Sequence, residues 1–109
     1  MNLKRRKTVP TTDYKEWLFE QLKDLDYAAG YITEAIEEGE AAFLLAIRDV
    51  VEAQGGVGSL SKTTALNREG LYDMLSEKGN PRLSSLSNVF KALGLQIAVT
   101  KKMQGTEAA

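Results

Sequence analysis

Polar side chains that suit the edges of nucleic-acid bases follow one another in the second half of the chain. An arginine can bind the two acceptors of guanine, an asparagine can do the same for adenine, and a glutamate can accept from cytosine. Here such residues lie at the start of a predicted short helix or on the face away from its apolar side chains. The pattern predicts contacts to DNA bases from Asn67, Arg68, Glu69 and Tyr72.

Further cations and polar side chains flank this segment on both sides. Such groups bind the phosphate oxygens of a duplex and position a protein without reading its sequence. A solvated helix face carries similar residues, and that alternative stays open. The predicted phosphate contacts are Lys62 and Thr63 before the segment, and Lys78, Asn80 and Arg82 after it.

The sequence offers little for catalysis. It has no Cys and no His, so the commonest general base and the commonest metal ligand are both missing. The glycines Gly55, Gly56 and Gly58 lack the Gly-Lys pair and the preceding strand of a phosphate-binding loop. We therefore expect no enzyme, no cofactor and no metal site.

The formal net charge of −1 conceals an uneven distribution. Residues 1–12 hold four basic groups and no acid, and residues 13–54 hold 3 basic and 11 acidic groups. Residues 55–109 hold 7 basic and 4 acidic groups. Such blocks are either solvated faces or surfaces for two partners of opposite charge.

Length and composition indicate one domain. A chain of 109 residues with 43% hydrophobic residues can bury a core without disulfides. No apolar run is long enough to span a membrane, so we expect a cytoplasmic protein. The predicted division is a flexible basic arm over 1–12, a single helical domain over 13–100 and a frayed tail over 101–109.

Apolar residues at helical spacing predict three N-terminal helices over 13–54. The first covers about 14–25, with Asp13 and Glu16 as a capping box. The second covers about 27–38 and ends at Gly39 in left-handed geometry, and the third follows at once. The side chains expected to face inward from the first two are Tyr14, Trp17, Leu18, Leu22, Leu25, Ala28, Tyr31, Ile32, Ala35 and Ile36.

Residues 55–94 have the pattern of a helix-turn-helix region. Two short helices are joined by a turn near residues 65–67, where Asn67 can cap the second, and a last amphipathic helix ends at Gly94. Gly70 costs about 1 kcal/mol in helix propensity, and room for the helix backbone beside DNA would explain it.

Leu95, Ile97 and Val99 alternate with polar or small residues, which predicts a short strand. A lone strand needs a partner, either the same strand of a second copy or the basic arm. The predicted fold class is all-α, a bundle of five or six helices around a central helix-turn-helix, plus this C-terminal strand.

Three stretches resemble the Xre (Cro/phage-repressor) helix-turn-helix domain: LSKTTALNREGLYDML at 60–75, GNPRL at 79–83 and VFKALGL at 89–95. With YAAGYI at 27–32 and AFLLAIRDV at 42–50, most of residues 11–100 resembles HigA-type addiction-module antidote proteins. Val57 stands where many Xre domains have Gln, and Arg82 where a Ser or Thr often precedes the last helix.

The resemblance implies a lambda-repressor-like helical domain that forms a homodimer on an inverted-repeat operator. It also implies repression of its own operon and neutralisation of a small, basic, RelE-like toxin encoded beside it. Such toxins are generally basic because they act on RNA, so the acidic segment suits them. The candidate toxin contacts are Glu34, Glu37, Glu38 and Glu40.

Two other functions remain open from the sequence. A stand-alone transcriptional regulator would share the DNA chemistry and have no toxin gene beside it. A protein-interaction module that has lost DNA binding would suit the acidic isoelectric point of about 5.5.

Overall fold

The computed structural model describes residues 11–64 and 66–102, and these form an all-helical fold without strands. None of the helices in this part of the chain is long and apolar enough to cross a membrane. The described helices are α1 (Thr11–Gln21), α2 (Leu25–Glu38), α3 (Glu40–Ala53), α4 (Val57–Thr64), α5 (Arg68–Met74) and α6 (Leu83–Leu93). The predicted helical bundle is confirmed.

One core joins all six helices. Helix α3 contacts α1, α2 and α4, and α4 also lies against α5 and α6. The described side chains of this core include no buried polar or charged residue. Its fully buried large members are Leu22, Leu44, Ile47, Val50, Val51, Leu71, Leu75 and Val89.

Helices α1 and α2 begin earlier than the sequence pattern predicted. Because α1 starts at Thr11, Asp13 lies inside its first turn, and the predicted capping box is wrong. Asp24 caps α2 instead, since its side chain accepts a hydrogen bond from the N–H of Asp26 at 2.9 Å. Leu25 therefore opens α2 rather than closing α1.

The predicted inward faces are correct for most positions and wrong at Trp17, Leu25 and Ile36. Trp17 is 50% exposed and Ile36 is 55% exposed. Each is next in sequence to a buried residue, Leu18 or Ala35, and so points about 100° away from it around the helix. The buried stripes of α1 and α2 are narrower than the sequence pattern suggested.

Gly39 alone separates α2 from α3. Its φ of 130° with ψ of 172° lies outside the left-handed helical region that was predicted, although φ is positive. The N–H of Gly39 donates to the carbonyl of Ile36, and its own carbonyl accepts from the N–H of Phe43. One residue thus ends one helix and starts the next, in a conformation that glycine tolerates best.

The predicted C-terminal strand is wrong for residues 95–100, which form neither helix nor strand. The N–H of Leu95 donates to the carbonyl of Phe90 and completes the end of α6. Beyond it, Ile97 is exposed and Val99 is 95% exposed. Alternating apolar residues form a strand only against a partner, and the described residues of one chain offer none.

The remaining boundary predictions fall partly outside the described residues. The predicted arm over 1–12 overlaps α1, which begins at Thr11. Residues 1–10, which include Lys4, Arg5, Arg6 and Lys7, lie outside the described part. The tail over 101–109 lies outside it from residue 103 onward, and Lys101 and Lys102 are exposed.

Candidate nucleic-acid interface

Two polar side chains build the connection between α4 and α5. The hydroxyl of Thr64 donates to the carbonyl of Leu60 at 3.0 Å and accepts from the N–H of Leu66 at 3.2 Å. The side chain of Asn67 accepts from the N–H of Gly70 at 2.6 Å, and so caps α5 as predicted. These bonds satisfy backbone groups at the end of α4 and the start of α5.

Aliphatic side chains hold the inner side of this helix pair. Leu60 of α4 and Leu71 of α5 are buried, and so is Leu75 directly after α5. Val89 and Phe90 of α6 belong to the same cluster. Because α4 and α5 are too short to be stable alone, this packing fixes their position.

All four predicted base contacts, at the start of α5 or on its outer side, are exposed to solvent, but they are not equally available. Asn67, Arg68, Glu69 and Tyr72 are exposed. The side-chain oxygen of Asn67 is already used in the cap, whereas Arg68 and Glu69 form no hydrogen bond or ion pair within the described part of the chain. Arg68 and Glu69 are thus the least encumbered of the four.

Tyr72 is attached to α3 by a residue that sequence reasoning missed. The guanidinium of Arg48 lies 5.4 Å from the centre of the Tyr72 ring, and it also pairs with Glu52 at 3.6 Å. One face of the ring is therefore covered. The spacing of residues along α3 gave no signal that Arg48 meets α5.

The glycine at position 70 is explained by a contact within the chain itself. A Cβ at this position would lie 3.0 Å from the side-chain oxygen of Asn67. The missing side chain therefore leaves space for the α5 cap, so room beside DNA is not needed to explain Gly70.

The basic candidates surround the helix pair. Arg68 extends toward Gly58, where a Cβ would come within 4.0 Å of its guanidinium. Lys62 lies one turn further along α4 on that same side, so the two cations share one face. Neither forms an ion pair with another described residue.

The other phosphate candidates are also exposed. The hydroxyl of Thr63 donates to the carbonyl of Ser59. Lys78, Asn80 and Arg82 lie between α5 and α6, and Arg82 occupies the N-cap of α6 without a side-chain hydrogen bond. A cation at a helix N-terminus is unfavourable by itself, and a bound phosphate would compensate it.

The predicted toxin contacts lie in the C-terminal part of α2 and at the start of α3. Glu34, Glu37 and Glu38 of α2 and Glu40 of α3 are all exposed. They form no ion pair with the described residues. No group of three or more His, Cys, Asp or Glu side chains in the described chain is arranged to hold a metal ion.

A partly buried hydrogen bond between Tyr31 and Asp49 connects α2 to α3, with 2.7 Å between their oxygens. Burial, together with this bond and the nearby carboxylate, raises the pKa of Tyr31 above its ordinary range. Burial also raises the pKa of Asp49, and the hydrogen bond from Tyr31 opposes that rise. Sequence spacing gave no indication of this pair.

Comparison with known proteins gives the chain a family. The model of a family described as "Probable addiction module antidote protein" matches residues 14–101. An uncharacterized protein of Haemophilus influenzae is 34% identical over 90 residues, which cover 73% of this chain and 92% of that protein. No solved structure is significantly similar. The chain belongs to the family of probable addiction module antidote proteins.

Proposed function

We propose that this antidote protein is a DNA-binding antitoxin of the Xre, HigA-like type, which represses its own operon and neutralises a RelE-like toxin. The observation that carries the DNA-binding part is the two-sided α5. Arg68 at its N-terminal end and Glu69 on its outer side stand unpaired in solvent, while Leu71 holds its inner side in the core. A short helix held in this way meets what the major groove requires.

The available atoms suggest different roles for the base candidates. Arg68 can bind the two acceptors of guanine, and Glu69 can accept from the amino group of cytosine. Asn67 keeps only its amide NH2 for a base, because its oxygen caps α5. Tyr72 contributes the free side of its ring, since Arg48 covers the other.

Phosphate contacts would set the orientation of the helix pair. Lys62 and Thr63 bind the backbone from α4, and Lys78, Asn80 and Arg82 bind it from the connection before α6. The absence of ion pairs to Lys62, Lys78 and Arg82 within the described chain supports this role, since no internal contact has to be broken.

We infer a homodimer on an inverted repeat, with the two α5 helices about 34 Å apart. One module offers too few base contacts for a specific site. The exposed Ile97 and Val99 support a second copy as the partner of residues 95–100, because pairing would cover apolar side chains and unpaired backbone groups.

The antitoxin part of the proposal rests on the family and on charge. A toxin partner is implied by the antidote family, and the acidic surface of α2 suits a basic toxin. Glu34, Glu37, Glu38 and Glu40 are the proposed contacts, and the complex would form in the cytoplasm. The action is binding alone, with no catalytic step and no cofactor.

The deciding experiment is fluorescence anisotropy of the full-length protein with labelled duplex from upstream of its own gene, over a salt series. A scrambled duplex of equal composition is the control. We expect tighter binding to the natural duplex and a steep loss of affinity with salt. Equal, weak binding to both would contradict the repressor role and favour an interaction module. DNA binding without a neighbouring toxin gene would favour a stand-alone regulator.

A further inference from the structure

Two large aromatic side chains remain exposed together where α1 meets α2. Trp17 is 50% exposed and Tyr27 is 39% exposed, and their ring centres lie 6.4 Å apart in an edge-to-face arrangement. The ring centre of Tyr14 lies 5.8 Å from that of Trp17. Mutual contact therefore holds both rings in place at the surface, so they lose little freedom on binding a partner.

Carboxylates border these rings on α1. Asp13 and Glu20 stand four residues before and three residues after Trp17, so they are its neighbours on the helix surface. Both are exposed, and Glu20 pairs with Lys23 at 3.3 Å. The exposed indole thus lies between two acids.

Carboxylates also lie on the same side of α2 as Tyr27. Glu34 and Glu38 are seven and eleven residues further on, within about 20° of Tyr27 around the helix axis. Glu37 is turned about 80° away from Tyr27. One side of α1 and α2 therefore combines an aromatic centre with acids at both ends, which we call the aromatic-acidic face (Asp13, Trp17, Glu20, Tyr27, Glu34 and Glu38).

We propose that the aromatic-acidic face is the docking surface for the basic toxin, with Trp17 and Tyr27 as its anchors and the carboxylates as its rim. This inference rests on the proposed antitoxin function and narrows it, because it includes Glu34 and Glu38 and leaves out Glu37 and Glu40. Exposed Trp and Tyr carry much of the energy at protein interfaces, and a charged rim increases the rate of encounter.

A second copy of this chain is a poorer occupant of the same face. A two-fold interface brings the same patch of both copies together, so acidic rims would meet acidic rims. Residues 13–54 hold 11 acidic against 3 basic groups, which makes this repulsion hard to relieve locally. A basic protein instead neutralises the rim.

The test measures affinity and association rate between the purified full-length protein and the small basic protein encoded beside its gene. Trp17→Ala and Tyr27→Ala are each compared with Leu83→Ala, which truncates a 69% exposed apolar side chain on α6. We expect Trp17→Ala to weaken binding by at least about 30-fold. Leu83→Ala should leave binding within about twofold, in line with the near-neutral majority of truncations.

A charge series on α2 provides the second readout. Glu34→Lys with Glu38→Lys should slow association and reduce its dependence on salt, and Glu37→Lys should do so much less. These side chains are exposed, so the variants keep the fold even where Trp17→Ala lowers the melting temperature. Operator binding by every variant serves as the control for folding.

The outcomes separate the two proposals. If the wild-type protein does not bind its neighbour, the antitoxin role fails, and the docking surface fails with it. If wild type binds and both the aromatic and the Glu34/Glu38 variants bind equally well, the toxin docks elsewhere and the antitoxin role stands. Selective loss through Trp17, Tyr27, Glu34 and Glu38 supports the aromatic-acidic face.

Discussion

The two halves of this molecule are stabilised in different ways. Helices α1 to α3 are 11 to 14 residues long, and polar side chains tie them to one another. Tyr31 bonds Asp49 across α2 and α3, and the amide of Gln54 donates to the carbonyls of Leu22 and Lys23 at the end of α1. Helices α4 and α5 have 8 and 7 residues, and their side-chain bonds stay local.

The difference separates a scaffold, helices α1 to α3, from a pair of short helices, α4 and α5, that depends on its neighbours for support. Helices as short as α4 and α5 do not persist in water, so the orientation of α5 depends on the buried Leu71 and Leu75 and on α4, against which it packs. The first half carries 11 of the 15 acidic residues, and the second carries unpaired cations. Substitutions can therefore be chosen to affect the support, the junctions or only the chemistry of one half.

The largest effect should come from removing the support under α5. Leu71 is fully buried, so Leu71→Ala should lower the free energy of unfolding by about 2–5 kcal/mol. DNA affinity should fall as well, because α5 loses its fixed orientation. Thermal and urea unfolding followed by circular dichroism measure the loss of stability.

The matched control Leu83→Ala removes an exposed leucine and should change stability by less than about 0.5 kcal/mol. Equal effects of the two substitutions would contradict the packing described for α5.

A second substitution tests the junction within the first half. Gly39 has a φ of 130°, so Gly39→Ala should destabilise the protein by about 1–3 kcal/mol through backbone strain. Gly30 lies in the middle of α2 with open space around it, so Gly30→Ala should stabilise by about 0.5–1 kcal/mol. Urea unfolding of both variants and of the wild type measures whether each substitution lowers or raises the free energy of unfolding. A stabilising Gly39→Ala would show that the junction does not hold this conformation.

The next effect lies in the chemistry of the second half and leaves stability unchanged. Arg68→Ala should weaken operator binding by about 1–3 kcal/mol and relax the preference at one base pair. Lys62→Ala should weaken binding to all sequences alike and reduce the salt slope by about 1. Lys23→Ala, which removes an exposed cation from the other half, is the control. Wild-type affinity of Arg68→Ala would remove α5 as the reading helix.

The sequence predicted the elements well where a pattern repeats along one helix. The apolar spacing located six helices, and the position of Asn67 before α5 identified it as the N-cap of that helix. It failed where the outcome depends on meeting another element. Trp17 was expected inside and lies outside, and the alternation around Ile97 produced no strand because no partner strand is present in the described chain.

The candidate site followed the same division. Exposure of Arg68 and Glu69 could be predicted, since Arg68 is the first residue of α5 and Glu69 lies on the side of that short helix away from the buried Leu71. The covering of Tyr72 by Arg48 could not, because it joins residues 24 positions apart whose contact only the packing of α3 against α5 creates. The same holds for the pairing of Tyr31 with Asp49.

The smallest expected effect concerns this last pair, which belongs to the scaffold half. Burial raises the pKa of Asp49, so the folded protein binds its proton more tightly than the unfolded chain, whose Asp pKa is about 3.9. The contribution of Asp49 to stability is therefore fully present below that pH and is lost as pH rises through the raised folded value. Asp49→Asn should remove this decline, which unfolding measurements across the acid range will detect as a difference from wild type.

Tyr31→Phe sharpens the same test, because it removes only the hydrogen bond that lowers the pKa of Asp49. The carboxyl of Asp49 should then titrate at higher pH than in wild type, and its decline in stability should extend further upward. Carboxyl chemical shifts followed by NMR during a pH titration report this directly. A titration of Asp49 that stays unchanged or moves to lower pH in Tyr31→Phe would mean that the tyrosine does not stabilise the carboxylate. The scaffold half would then be held by its apolar packing and the Gln54 bonds.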